Sequence, residues 1–493
     1  MTDEAVIKMT MKMKKSIILL VSAVVSAFAV TGCKDFLTKD PLLSQSTDIT
    51  LSSYTGLNNA TFGAYYYLAS SGWYGQSWII DAEMRSGNGK KTAFRNSNRC
   101  VQPYIWNYTE DGTSGMWSYC YVTVAQCNNV IDNLEGKAGG DVTEQDLNNL
   151  KAECLFLRAF SHFCNVLTYG QPYTYCKKSA PESLGVPYVY HTDPNGKPFR
   201  ETVISNYENI VKDLLEAESI IDPDYVRKGT TDELATVNIS TIQALLSRVY
   251  LYMGEWQKAA DYATKVIDSK KYKMWTAEEY PKVWGAEKGS GEIIFEVYGN
   301  ITNSAWASWE DMSYLTSPEG SGDPAAAKPL LDLYSDDDVR LATYRTDEKE
   351  ESNGILWTTK YPGKGLNTPD ANNVVVLRLS EMYLNRAEAL MNGAQIEGVT
   401  AWDDLNAITS KRNADAYTSV GTLDIQRERR KELAWEGHYI YDLARWGKAV
   451  ERTAADYPLC TQNLNVPFPS NKWALPLPKS EREVNPNLEQ NPL

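Results

Sequence analysis

Apolar residues return every three or four positions over much of this chain, the mark of helices with one buried face. Across 147–168 they fall at Leu147, Leu150, Cys154, Leu157, Phe160, Cys164 and Leu167. Val203, Tyr207, Ile210, Leu214, Ala217 and Ile221 repeat the pattern until Asp222-Pro223 stops it. Leu379, Tyr383, Ala387 and Leu390 do so again, and Asp424 predicts the cap of a charged helix running through Glu436 to Gly437. Strand signals are few. Residues 292–297 and 374–377 read as local hairpins, and no alternation of strands with helices supports a parallel sheet. The pattern predicts an all-α protein with long loops at 72–114, 271–373 and 453–493. Those stretches are rich in Gly, Pro, Asn and aromatics, and long loops of such content inside a compact protein are usually functional.

The N-terminus follows a different rule. Lys12, Lys14 and Lys15 precede an apolar run from Ile17 to Val30, which closes as Val30-Thr31-Gly32-Cys33. A basic start, a short apolar stretch and small residues describe a secretory signal peptide over 1–32, too short for a comfortable membrane span. The ending resembles the bacterial lipobox, which implies that Cys33 is lipidated and becomes the first mature residue. Several acyl chains on one residue give stable anchoring, where a single chain holds only marginally. Asp3 and Glu4 are unusual ahead of a basic signal region and point to translation starting at Met9, Met11 or Met13. Lys34-Asp35 resembles the export signal of surface lipoproteins in glycan-degrading Gram-negative bacteria. Residues 33–50, polar and carrying Pro41, read as a tether. The remainder, 51–493, reads as one domain with intimate parts at 51–230 and 231–493.

The net charge of -14 argues against nucleic acid as a partner, since a phosphate backbone would be repelled. It equally disfavours a basic grip on anionic lipid. Tyrosine (31) and tryptophan (14) are abundant and histidine (3) is scarce, which suits stacking surfaces better than metal chemistry. Beyond Cys33 there are cysteines at 100, 120, 127, 154, 164, 176 and 460, with no Cys-x-x-Cys spacing. Most are expected to be free, buried thiols, with room for one disulfide in an oxidising envelope.

Tyr250, Gly254, Trp256 and Ala259 resemble a tetratricopeptide unit: the glycine allows a tight turn and the small alanine a close helix contact. Looser pairs near 150–220 and 379–412 predict degenerate repeats forming a right-handed scaffold, interrupted by long insertions and a few short β-hairpins. Towards the C-terminus stands Glu428-Arg429-Arg430-Lys431-Glu432-Leu433-Ala434-Trp435-Glu436-Gly437-His438, continuing to Tyr441-Asp442-Leu443-Ala444-Arg445-Trp446-Gly447. Phe156–Phe163, Tyr169-Gly170, Gly185-Val186-Pro187, Arg378–Ala389, Leu475–Pro478 and Asn485–Pro492 precede or follow it in order. Together these resemble the SusD/RagB family, surface lipoproteins of glycan-uptake systems. The resemblance implies a glycan-binding lipoprotein on the outer membrane that delivers oligosaccharides to a SusC-like TonB-dependent transporter. Read physically, residues 428–436 predict a charged helix face of intrahelical pairs, Arg378 and Glu381 a similar bridge, and His438 a structural histidine.

No His-Glu-x-x-His, Gly-x-Ser-x-Gly or P-loop occurs, so no catalytic residue, metal or cofactor is assigned and the chain is read as a non-enzyme. Asp336-Asp337-Asp338 offers carboxylates to calcium, although such runs are more often a solvated face. Sugars ask for flat aromatic platforms beside side chains that satisfy hydroxyls. Residues 73–106 supply that mixture in Trp73, Tyr74, Trp78, Asp81, Arg85, Asn88, Arg95, Asn96 and Trp106; Trp306, Trp309 and Tyr314 form a second cluster. Trp256, Trp446, and Trp117 with Tyr121 are assigned to the core. Three alternatives stay open: a tetratricopeptide envelope scaffold with no small ligand, a surface glycosidase, and peptide uptake in place of glycan uptake.

Overall fold

Each of the three periodic stretches folds as a helix, and the computed structural model describes residues 50–230, 232–299, 311–348, 354–363 and 372–492. The signal segment, Cys33, and the tether up to residue 49 lie outside them. The first half holds α1 (Tyr54–Leu68), α2 (Ser77–Ser86), α3 (Val101–Ile105), α4 (Ser114–Ile131), α5 (Glu144–Tyr169), α6 (Tyr173–Ser179), α7 (Val203–Ile220), α8 (Ile239–Met253) and α9 (Trp256–Asp268). The second holds α10 (Met312–Leu315), α11 (Lys328–Leu331), α12 (Leu379–Met391), α13 (Ala401–Thr409), α14 (Thr422–Glu432), α15 (Tyr439–Arg445) and α16 (Lys479–Val484).

The long helices stack in a single file. α1 packs on α4, α4 on α5, α5 on α7, α7 on α8, α8 on α9, α9 on α12 and α12 on α13. Successive neighbours burying one another's faces is the logic of a tetratricopeptide-like solenoid, and the fold is all-α in class. Gly254, at φ 71°, ends α8 in the left-handed conformation that glycine adopts at no steric cost. Beyond the turn Ala259 is buried, and its carbonyl accepts from the Ser247 hydroxyl at 3.0 Å, so the helices approach as the motif predicts. Trp117 is buried against Tyr169. Trp256 and Trp446 correct their core assignment: both are half-buried, and the Trp446 indole donates to Glu388 at 2.8 Å.

The strands also differ from expectation. β2 (Ile293–Val297) pairs antiparallel with β6 (Val374–Arg378), so the two apolar runs read as local hairpins are partners in one buried ribbon. Two further ribbons join β1 (Gly89–Lys91) to β3 (Pro324–Ala326) and β4 (Tyr344–Arg345) to β5 (Trp357–Thr358). The predicted loop 72–114 contains three short elements, α2, β1 and α3. All seven cysteines among the described residues are free, six of them buried.

The charged signature at 428–436 is largely buried, and apart from Lys431 with Glu428 its ion pairs run to other segments of the chain, which corrects its reading as a helix face of intrahelical pairs. α14 begins at Thr422, with the Asp424 carboxylate accepting from the Gly421 N–H at 3.0 Å, and ends at Glu432. A turn follows in which Trp435 (φ 64°) and Gly437 (φ 81°) are left-handed. Glu432 accepts from Arg340 at 2.9 Å, Arg378 at 2.7 Å and Arg412 at 2.8 Å. Arg340 also reaches Asp338 and Glu428, Arg378 reaches Glu292 and Glu436, Arg412 reaches Glu292, and Lys360 reaches Glu436. Lys431 closes the network on Glu428 and Asp338. Five cations thus meet five carboxylates, all with side chains no more than 8% exposed. Burial alone would raise the Glu432 carboxyl; Arg412, Arg378 and Arg340 overcome it and hold the group well below its ordinary range. Asp338 is committed to Arg340 and only Asp336 and Asp337 face solvent, so the acidic run is structural. Arg378 does not bridge Glu381, whose partner is Arg248 at 2.6 Å. Burial and the surrounding cations hold His438 neutral.

α5 lies between α4 and α7, so its polar residues need internal partners. Arg158 pairs with Asp213, Glu153 with Arg227. His162 is bound at both ring nitrogens, with Nδ1 2.8 Å from the Arg158 carbonyl and Nε2 accepting from the Val189 N–H at 3.1 Å. That arrangement requires a neutral ring protonated on Nδ1. Burial, aided by the Arg158 charge, pushes its pKa down from 6.5 to about 3.

Glu432→Gln leaves five cations against four carboxylates, and we expect a loss of about 3–5 kcal/mol in urea unfolding. His162 binds a proton in the unfolded chain below pH 6.5 but not in the folded one until about 3, so it withdraws stability as pH falls through that window. Between pH 7 and 5 this amounts to about 2 kcal/mol, and His162→Phe should flatten the wild-type pH slope by that amount.

Candidate functional site

The first candidate cluster divides sharply by depth. Trp73, Tyr74 and Trp78 are buried, at 0%, 1% and 4% exposure, which corrects their assignment as sugar platforms. α2 packs against α15, and the rings run on as a stack: Trp73 on Phe160, Tyr74 on Trp78, and Trp78 on Tyr441 at 4.8 Å. Arg85 is buried with its guanidinium 4.4 Å above the Trp106 ring, and the Trp106 indole returns a hydrogen bond to the Arg85 carbonyl at 3.0 Å. Asn88 is buried between Glu83, to which it donates, and Arg430, from which it accepts, both within 2.9 Å. Arg85, Asn88 and Trp106 are therefore buried and brace the interior, a second correction. Asp81 is half-buried, and its carboxyl is pushed up to about 6 by desolvation against the pull of Arg85. Trp306 and Trp309 lie outside the described residues.

The turn between β1 and α3 has the opposite character. β1 runs beside β3 in the register Gly89↔Ala326, Lys90↔Ala325, Lys91↔Pro324. Thr92 extends the pairing through its N–H to the Asp323 carbonyl at 2.8 Å and its hydroxyl to the Gly322 carbonyl at 2.7 Å. Below, Phe94 packs edge-on against the buried Trp357 at 5.1 Å. Above, Arg95, Asn96, Asn98 and Arg99 are exposed. Arg95 (φ 52°), Asn96 (φ 48°) and Asn98 (φ 57°) are all left-handed, a concentration of backbone strain that persists only where surroundings enforce it and that clusters at ligand clamps.

That turn meets the second cluster. Tyr314, half-buried, sits on α10, which Asp311 caps. The Arg99 guanidinium lies 5.6 Å from the Tyr314 ring centre, while its backbone N–H donates to the Asp323 carboxylate at 2.5 Å. Arg95 donates to the Glu319 carbonyl at 3.1 Å. Gly320 makes the fit possible, since a Cβ there would stand 1.9 Å from the Tyr314 carbonyl oxygen. The fold thus joins two loop clusters far apart in the chain into one exposed face of arginines, asparagines and a tyrosine. Hydroxyl recognition requires donors and acceptors of this kind. Arg95 and Asn96 were legible from composition. Asn98, Arg99 and Glu319 were not, although the run Asn96-Ser97-Asn98 has turn chemistry that flags a left-handed loop.

The fold and the site together define a tetratricopeptide-like solenoid that carries an exposed polar turn on short β-ribbons. Residues 35–251 match the SusD-like family described as starch-binding associating with outer membrane, and residues 326–493 match the SusD family. A SusD superfamily protein of Bacteroides thetaiotaomicron superposes with a TM-score of 0.80 at 32% identity, covering 90% of this chain and 100% of that one. The SusD-like protein P2 of Formosa agariphila is 24% identical over 96% of this chain and 98% of its own length. Surface glycan-binding protein A of Bacteroides fluxus shares the fold, with a TM-score of 0.72 at 22% identity over 90% and 99% of the two chains. The chain belongs to the SusD/RagB family.

Stability separates buried from exposed candidates. Trp78→Ala should cost about 3–5 kcal/mol in urea unfolding, and Arg95→Ala should stay within about 0.5 kcal/mol of wild type.

Proposed function

We propose that this protein captures oligosaccharides at the outer surface of the cell and passes them to a SusC-like TonB-dependent transporter, without catalysing a reaction. The observation that carries the reading is the convergence of the 93–99 turn and Tyr314 on one exposed face. Trp306 and Trp309, next to α10 in sequence, and half-buried Asp81 complete the proposed ligand set. Family membership supports a glycan ligand, since one matching family is described as starch-binding and one relative of the same fold is a surface glycan-binding protein.

Anchoring through lipidated Cys33 accounts for the location. Among the described residues no helix is long and apolar enough to cross a membrane, and the basic–apolar–Cys33 layout supplies an acyl attachment. The solenoid offers wide helical faces for a transporter, whose own energy would drive uptake.

The test is binding to a glycan array by the full chain in detergent. Tyr314→Ala and Arg99→Ala should each weaken the strongest hit by about tenfold, as loss of a stacking or charge-assisted contact does, with the thermal midpoint unchanged. Retention of full affinity by both variants contradicts the placement of the site. Cys33→Ala should move the protein from membrane to soluble fractions with its glycan affinity intact.

A further inference from the structure

We propose that the Arg95 turn reads a negatively charged substituent on its glycan, a uronate carboxylate or a sulfate ester; this rests on the glycan-binding reading above. The chain carries a net charge of -14, and a field of that sign repels acidic polysaccharides unless a local excess of cations receives them. Three exposed arginines, Arg95, Arg99 and Arg345, stand on this face. Arg345 pairs with the Glu319 carboxylate through both terminal nitrogens, whereas Arg95 approaches the same residue and donates to its uncharged backbone carbonyl. One guanidinium, that of Arg345, thus faces the carboxylate, Arg95 is held at the carbonyl of the same residue, and Arg99 lies against the Tyr314 ring.

The geometry suits an oxyanion. A guanidinium is a planar fork of donors that matches carboxylate and sulfate oxygens two at a time. Arg95 rests 5.5 Å from the centre of the Phe94 ring, which supports the group from beneath while the residue stays exposed. Its left-handed backbone, φ 52°, sets the direction in which the side chain leaves the turn. The Glu319–Arg345 pair is itself superficial, with side chains 69% and 44% exposed. Surface pairs of this kind contribute little stability, so a ligand oxyanion can take the place of Glu319 on Arg345 at small cost. Glu319 then acts as a stand-in that occupies the cationic face until an acidic sugar arrives.

The full chain in detergent is titrated by calorimetry with trigalacturonate, with its neutral methyl ester, and with a sulfated carrageenan tetrasaccharide beside its desulfated form. An acidic member should bind about tenfold more tightly than its neutral counterpart, and that advantage should shrink as salt rises from about 50 to about 300 mM. A preference for the galacturonate identifies a carboxylate reader, and one for the carrageenan a sulfate reader. Arg95→Ala should bring the acidic forms down to the affinity of their neutral counterparts, and Arg95→Lys should restore part of the difference. Arg345→Ala gives an independent second variant. Equal binding of acidic and neutral forms, or an undiminished preference in Arg95→Ala, overturns the proposal while the glycan-binding reading stands. Failure of any oligosaccharide to bind, here and on the glycan array, overturns both.

Discussion

Glu432 is the carboxylate on which the C-terminal half of this protein turns. It accepts from Arg340, Arg378 and Arg412, which come from a 3-10 turn, the end of β6 and the segment beyond α13. No apolar contact could impose the same geometry, because each guanidinium must present its donors in plane to a shared pair of oxygens. Leaving any one of these charges unpaired in the interior is far costlier than losing an exposed pair. Five cations against five carboxylates close the network electrically, and a second group repeats the arrangement with Arg248, Arg429 and Arg445 on Glu381, Glu388 and Asp442. The helical file and the inserted ribbons are fastened to each other by ions whose partners must all be present.

This explains why the candidate site sits where it does. Glu83 on α2 accepts from the Gly437 N–H at 3.0 Å, in the turn just past Glu436 of the same network. Asn88, held between Glu83 and Arg430, begins the path into β1. From there the pairing with β3 carries the chain to the exposed turn at 93–99, and Trp357 supports it from below through the Gly322 carbonyl at 3.0 Å. A strained loop thus stands on a rigid frame, which is how a binding surface keeps its shape before a ligand arrives.

Much of the fold was legible in the chain, and the reason is local periodicity. Residues 147–168 fold as α5, and Gly254 and Ala259 mark the α8–α9 hairpin because turn and contact lie within a few residues. What periodicity cannot show is partnership across long separations. The alternating charges of 428–436 read as intrahelical pairs because their partners, from Asp338 to Arg412, lie outside any helical window. The strand at 293–297 read as a hairpin for the same reason. The candidate site failed at Trp73, Trp78 and Trp106, whose aromatic content belongs equally to a platform and to a core; only the packing of α2 on α15 decides between them. Arg95, Asn96 and Tyr314 survived as candidates because turn residues and short helices keep to the surface.

The central claim is that the face built by the 93–99 turn and α10 is where the ligand binds. Amide hydrogen exchange on the full chain, with and without a glycan identified on the array, tests it most directly. The account predicts added protection confined to peptides covering 93–99 and 311–323, with α2 unchanged because its amides are already buried. Protection that falls elsewhere on the solenoid, leaving both segments as they were, would contradict it.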